Sequence, residues 1–477
     1  MLAISTNLIA GLLGSIYLVG LISAFHAIHR TRTSQGAIAW AMALITFPFV
    51  AIPLYWVLGR TKYHGYIKAR KRGQHSIQKL AERVEPIIPR VQFALPEDRK
   101  GLLALENLVH VPFVRGNRSQ LLIDGDATFD AIFEAMDAAE HYILTQFYIV
   151  RDDGLGRRFR DKLVQRAQEG IACYFLYDEI GSHRLSEDYL QTLKAAKVRV
   201  SSFSSTRGRH NRFQVNFRNH RKVVVVDGKT SFVGGLNVGD EYLGLDPKLT
   251  PWRDTCVQVD GPATLGVQLS YLEDWHWATH ETPEWNWEPH ILEDGEENIL
   301  VLPTGPSDRF DSCSYFFSEM ARMAEKRIWI ASPYLVLDST VAASLQLAAL
   351  RGVEVRILIP GQYDQRISWM ASFAWLQPLI DAGVQLYRYR KGFMHQKVVV
   401  VDDDLSAIGT ANLDNRSFRL NFELMLLHLS PSFSQQVDAM LAVDFENSDP
   451  IESGDLASRS FFFELGVSTA RLWSPIL

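Results

Sequence analysis

From Met1 to Ala27 the chain carries no Asp, Glu, Lys or Arg, and the stretch Thr6 to Phe25 is long enough for a helix to cross a hydrocarbon core of about 30 Å. A second uncharged run, Gly36 to Gly59, places Trp40, Tyr55 and Trp56 near its ends and Pro48 and Pro53 inside. It predicts a second transmembrane helix, kinked in its second half. Arg30 and Arg32 lie between the runs, whereas Arg60, Lys62, Lys68, Arg70, Lys71 and Arg72 follow the second. The more basic flank belongs in the cytoplasm, which puts both termini there and makes the anchor multi-pass. A cleaved signal peptide fits less well, because no cation precedes the first run and a second run follows it. The basic flank also suits anionic lipid headgroups. Residues 61–110, basic and then marked by Pro86, Pro89 and Pro96, read as a juxtamembrane connector.

Beyond it the pattern changes to alternating helix and strand periods. Helical spacing from Phe129 leads to an apolar strand at Tyr142–Tyr148, a helix at Phe159–Gln168 and a strand at Ala172–Asp178. The same order recurs from Phe310: a helix to Ala324, a strand at Arg327–Tyr334, a helix near Thr340–Leu350 and a strand at Val353–Ile359. Such alternation predicts two α/β lobes, at 111–285 and 286–477. Each copy ends in one line, His220-Arg-Lys-Val-Val-Val-Val-Asp227 and His395-Gln-Lys-Val-Val-Val-Val-Asp402, 175 residues apart. Gly234-Gly-Leu-Asn237 and Gly409-Thr-Ala-Asn412 follow, each Asn ten residues after the Asp. A duplicated chain of this kind folds with internal pseudo-twofold symmetry, which brings equivalent edges together.

Residues two apart on an extended chain face the same way, so His220 lies beside Lys222 and His395 beside Lys397. If the lobes face one another, two imidazoles, two ammonium groups and the amides of Asn237 and Asn412 converge, an array suited to a phosphate. One imidazole can attack phosphorus while the other protonates the departing alkoxide, and the cations stabilise the equatorial oxygens; no metal or cofactor is needed. Aligning the copies sets Asp254 against Glu423, and these carboxylates are candidates for orienting the rings. Asp227 and Asp402 stand at the strand ends, where a turn role competes with a catalytic one.

Composition narrows the partners. The chain has 477 residues with 49 Lys+Arg against 54 Asp+Glu, and this net acidity argues against a protein that wraps nucleic acid. Cys173, Cys256 and Cys313 match no metal or redox spacing and read as buried thiols.

The two His-x-Lys-x4-Asp lines, each followed by Gly-x-x-Asn, resemble the phospholipase D superfamily. The paired N-terminal runs, Trp252-Arg-Asp254, the line Gly409 to Phe418 with Asn421-Phe-Glu423, and the terminal Arg471 to Leu477 resemble its bacterial cardiolipin synthase branch. The resemblance covers essentially the whole chain. It implies two pseudo-symmetric lobes, each a mixed sheet flanked by helices, behind two transmembrane helices in the bacterial inner membrane, the catalytic lobes on the cytoplasmic side. It further implies transfer of a phosphatidyl group from one phosphatidylglycerol to another through a phosphohistidine, with His220 as nucleophile and His395 as acid and base. A hydrolytic phospholipase D or a transferase to another alcohol shares the nucleophile and stays open. A lipid-binding scaffold is disfavoured by the intact histidines and lysines, and no protein partner is indicated. Arg207, Arg209, Arg212, Arg218 and Arg221, with Asn211, Asn216 and Asn219, form either a headgroup-capturing approach to His220 or a solvated loop. Tyr148 and Tyr334 occupy equivalent strand ends. The apolar tail from Phe461 packs on the second lobe or lies on the bilayer.

Overall fold

The computed structural model describes residues 6–31, 33–59, 63, 66, 86–204, 216–453 and 460–477. Arg32, Arg60, Lys62, Lys68, Arg70, Lys71, Arg72, Arg207, Arg209, Asn211 and Arg212 lie outside the described residues.

The first apolar run forms the helix Thr6–Arg30, and among the described residues it alone is long and apolar enough to cross a membrane. The second run is not one kinked helix. It divides into Ser34–Thr46 and Pro48–Leu58 at Phe47, which has φ −130° and ψ 57°. A residue before proline is pushed out of the α region, and Pro48, lacking an N–H, starts a new helix at no hydrogen-bonding cost. Pro53 is accommodated inside that second helix. The segments return along the first helix. A Cβ at Gly20 would stand 2.6 Å from the Leu44 carbonyl oxygen, so glycine there permits the close approach.

The body is one mixed sheet whose strand order is a palindrome. From one edge run Gln385–Tyr389, Glu354–Pro360, Arg327–Ala331, Val398–Val401, Leu405–Gly409, Asn421–Leu429 and Glu297–Thr304. From the other run their counterparts Arg199–Phe203, Ala172–Asp178, Tyr142–Phe147, Val223–Val226, Thr230–Gly234, Thr255–Asp260 and Val114–Ile123. The halves join where Val114–Ile123 pairs antiparallel with Glu297–Thr304. Ser448–Pro450 extends one edge.

The valine quartets follow from this layering. Val223, Val225, Val398 and Val400 face a core shared by both lobes, which also holds Trp275 and Phe445 from the helices Ala263–Thr279 and Pro431–Glu446. Val224 and Val226 face a core built mainly from the first lobe, with Phe393 reaching in from the second, and Val399 and Val401 one built mainly from the second, joined by Leu102, Leu105 and Phe113. A strand buried on both faces reads as a continuous apolar run rather than an alternation. All three cysteines are buried thiols.

Candidate active site

Two short parallel pairings stitch the lobes together. Arg218–Asn219 runs beside Asn421–Phe422, and Phe393–Met394 beside Trp252–Arg253. Each ladder continues one residue further, the His220 N–H donating to the Phe422 oxygen at 2.9 Å and the His395 N–H to the Arg253 oxygen at 2.8 Å. The next residue on each partner strand is a carboxylate. His220 Nδ1 therefore meets Glu423 at 2.9 and 3.0 Å, and His395 Nδ1 meets Asp254 Oδ2 at 3.0 Å. The pairs are crossed: each ring is held by the other lobe.

Both carboxylates are fully buried. Burial pushes Asp254 up, but Lys397 and His395 more than offset it, and His220, Lys222 and Thr410 do the same for Glu423, so both stay below the ordinary carboxylate range. An ionised carboxylate only accepts, so Nδ1 of each ring donates and Nε2 is left for chemistry. The imidazoles are nearly buried. His220 is held down to about 4 by burial and by the Lys222 and Lys397 ammonium groups, against the pull of Glu423. His395 is held at about 4 by burial and Lys397, against Asp254. Burial brings Lys222 to about 7 and Lys397 to about 8. Lys397 of the second lobe lies within electrostatic reach of both His220 and Lys222 of the first. Lys222 Nζ donates to the His220 carbonyl at 2.6 Å; Lys397 Nζ reaches the His395 carbonyl and stands 3.0 Å from Nδ1 of that ring.

The surroundings of the carboxylates differ. Glu423 accepts from Thr410 Oγ1 at 2.6 Å, Ser417 Oγ at 2.8 Å and Asn421 Nδ2 at 3.2 Å. Asp254 accepts from the Thr255 N–H at 2.8 Å and from Trp252 Nε1 at 3.3 Å. The position matching Thr410 is Gly235, where a Cβ would lie 2.0 Å from Asp254 Oδ1. The second lobe thus spends a hydroxyl where the first clears space. Thr410, Ser417, Asn421 and Trp252 belong to sequence lines that had been singled out, but nothing in their spacing assigned them to a carboxylate.

The remaining candidates make hydrogen bonds within their own lobes. Asn237 accepts from the Ile149 N–H at 3.0 Å and donates to the Tyr242 hydroxyl at 3.0 Å, while Asn412 donates to Asp414 at 3.1 Å. Their amides, expected to meet the phosphate, make contacts within their own lobes. Of the turn and catalytic roles left open for Asp227 and Asp402, their contacts favour the turn. Asp227 accepts the N–H groups of Glu140, His141 and Tyr142 at 2.7–2.9 Å, and Asp402 those of Glu325, Lys326 and Arg327 at 2.8–3.0 Å. Both occupy left-handed turns, φ 54° and 51°, at the far end of the valine strand. They tie that turn to the start of the neighbouring strand, a conformation Asp tolerates better than most residues.

Arg221 is neither a headgroup ligand nor solvated. It is buried, donates to Asp274 at 2.8 Å on the helix Ala263–Thr279, and reaches the Glu423 carbonyl at 3.1 Å. Arg253, next to Asp254, forks onto Asp444 at 2.8 and 2.9 Å. Removing one partner of such a buried pair costs about 3–5 kcal/mol, so these struts fix the strands carrying the carboxylates. Asn219 joins the Asp274 cluster at 2.8 Å, and Asn216 accepts from Arg416 at 3.2 Å.

A family model described as "Cardiolipin synthase, PLD-like domain" matches residues 132–249 and 317–444, one histidine line in each, and one described as "Phospholipase D-nuclease N-terminal" matches 16–60. Cardiolipin synthase A of Pseudomonas putida (strain GB-1) is 47% identical over 474 residues, 98% of each chain. The chain belongs to the bacterial cardiolipin synthases of the phospholipase D superfamily. Cardiolipin synthase A of Pseudomonas aeruginosa (strain LESB58) is 46% identical over 477 residues, 99% of this chain and 97% of that one. The crystal structure of phosphatidylserine synthase from Haemophilus influenzae Rd KW20 superposes on 79% of this chain and all of that one, with TM-score 0.59 and 15% identity, and shares the fold. Membership in the cardiolipin synthases makes the chain a membrane-associated phosphatidyltransferase acting on phospholipids.

Proposed function

We propose that the pocket makes cardiolipin from two molecules of phosphatidylglycerol by double displacement at phosphorus. His220 Nε2 attacks the phosphorus of the first lipid. The P–N bond forms as the P–O bond to glycerol breaks; His395 enters this step as the imidazolium, its Nε2 proton taken up from solvent as the anionic phosphate binds and offsets Lys397, and it gives that proton to the departing alkoxide. His395 then takes the proton from a terminal hydroxyl of the second lipid, which attacks phosphorus and frees His220. Lys222 and Lys397 neutralise the charge on the non-bridging oxygens.

The crossed imidazole–carboxylate pairs carry this reading. They give two rings in the same tautomer, one from each lobe, around two ammonium groups. The order of roles rests on their inequality. Thr410, Ser417 and Asn421 draw on the charge of Glu423, so it stabilises an imidazolium less than Asp254 does, and the Asp364 carboxylate further favours a charged His395. The ring that gains and loses a proton is then His395; the ring pinned by the more heavily bonded carboxylate is the nucleophile.

The anchor completes the reading. Ser34–Thr46 and Pro48–Leu58, stacked end to end around Phe47, cover about 37 Å, enough for a second crossing. The lobes then lie on the cytoplasmic face. On the terminal helix Phe461–Leu472, Phe463 packs against Trp369 and Phe373, while Phe461, Phe462, Leu465 and Leu472 are exposed and suit the bilayer surface.

Purified full-length protein supplied with phosphatidylglycerol labelled in its headgroup should release one glycerol per cardiolipin formed. Phosphatidic acid as the sole lipid product would reject transfer to a lipid acceptor.

A further inference from the structure

The pseudo-symmetric pocket has unlike ends. Tyr148 lies against His220 with ring centroids 5.0 Å apart, and its strand-end counterpart Tyr334 lies 6.5 Å from His395. At the first end Arg218 and Arg416, the latter held by Asn216 and the Ile476 carbonyl, together with the buried Asp178 carboxylate, lie close enough to act on the Tyr148 phenol, so that cations outnumber acids there. At the second end the neighbour is an acid: the Tyr334 hydroxyl donates to Asp364 at 2.6 Å, and Gln365 Nε2 reaches that hydroxyl at 3.4 Å.

Asp364 and Gln365 line a shallow, solvent-open cleft, with Tyr334, Ser368 and Trp369 on its walls. Trp369 stacks on Tyr363 with centroids 4.9 Å apart, and on its other side meets Phe463 of the terminal helix at 6.1 Å. The cleft is thus bordered by Tyr334, whose ring neighbours His395, and by Trp369, which meets the helix whose outer face exposes Phe461, Phe462 and Leu465. A carboxylate repels a phosphate but accepts hydrogen bonds from hydroxyls, and a phenol with a carboxamide adds a donor and further acceptors. This is the chemistry of a polyol site, placed beside the imidazole that hands a proton to the leaving alcohol.

We infer that Asp364, Tyr334 and Gln365 form a subsite for the glycerol headgroup, holding first the glycerol about to leave the donor lipid and then the glycerol end of the acceptor. The inference rests on the double displacement proposed above and adds the acceptor specificity that separates a polyol from a simple alcohol. Bound there, the glycerol presents a hydroxyl to His395, while the cationic end of the pocket is left for the anionic phosphatidyl part.

The test offers free glycerol and 1-propanol in competition to full-length protein in detergent micelles of phosphatidylglycerol, with radiolabelled glycerol reporting exchange and phosphatidylpropanol reporting the rival product. The ratio of kcat/KM for glycerol over 1-propanol cancels any general change in turnover. Asp364→Ala and Tyr334→Phe should each lower that preference about tenfold, one lost hydroxyl contact at roughly 1.4 kcal/mol. Asp364 is exposed, so its substitution should not prevent folding. A preference within twofold of the unsubstituted protein in both variants would overturn the subsite and leave the double displacement standing. Failure of the unsubstituted protein to transfer to either alcohol would instead remove the double displacement itself.

Discussion

Glu423 and Asp254 stand at equivalent points of a duplicated fold, yet one carries three side-chain donors besides its histidine and the other a single backbone N–H and an indole. The difference traces to single residues. Thr410 reaches Glu423, whereas at Gly235 any side chain would collide with Asp254. Duplication supplied two copies of one device, and small changes around each carboxylate made their surroundings unequal; the proposed division of roles between the rings rests on that inequality. The same divergence appears around the two tyrosines, where Arg218 and Arg416 outnumber the Asp178 carboxylate beside His220 while Asp364 stands beside His395.

The largest effects should come from the rings. His220→Ala and His395→Ala should each lower cardiolipin synthesis from phosphatidylglycerol by roughly a thousandfold or more. They part when the leaving group needs no proton. With a phosphatidyl ester of p-nitrophenol, His395→Ala should still give a burst of p-nitrophenolate as the phosphoryl-enzyme forms, and His220→Ala none. A burst in the His220 variant instead would exchange the two roles.

Next come the crossed carboxylates. Glu423→Gln and Asp254→Asn keep shape but no longer hold the Nδ1 proton, a change that in comparable dyads costs about a hundred- to ten-thousandfold. Because the pairs are crossed, Asp254→Asn, in the first lobe, should behave like a defect of the second-lobe acid and be relieved by the p-nitrophenyl ester. Glu423→Gln should not be relieved. The opposite pattern of rescue would mean that each carboxylate serves the ring of its own lobe.

Much of this arrangement was readable before any coordinates. Two copies in one chain act as their own alignment, and period-two spacing puts His220 beside Lys222 and His395 beside Lys397. The crossing was not readable, because it depends on registering Asn421–Phe422 against Arg218–Asn219 and Trp252–Arg253 against Phe393–Met394, segments whose pairing no local period encodes. The same limit hid the donors of Glu423. The roles of Asp227 and Asp402 stayed open for another reason: they share a motif with the histidines, but a four-residue buried strand lies between, and their carboxylates are taken by three N–H groups each. In the anchor, hydropathy measured the length of the second run correctly but not its break, which one proline imposes on Phe47.

The smallest effect concerns stability, and it asks whether the two lysines differ as the carboxylates do. Burial lowers Lys222 from 10.5 to about 7 and Lys397 from 10.5 to about 8. The unfolded chain therefore binds these protons more tightly. The resulting penalty on folding is absent above about pH 10.5, grows as the pH falls through the folded values, and is constant below them. Methionine fills a similar volume without the charge, so Lys222→Met should abolish transfer yet raise Tm by a few degrees at pH 6, at about 2–4 °C per kcal/mol, with the gain shrinking toward pH 10. Lys397→Met should gain less, since its folded value lies nearer the ordinary one. Melting curves at several pH values for both variants check the order. Destabilisation by Lys222→Met at pH 6 would mean that its attraction to Glu423 and its bond to the His220 carbonyl outweigh the cost of burying the ammonium, and that the site is held together by the cations it uses on the phosphate.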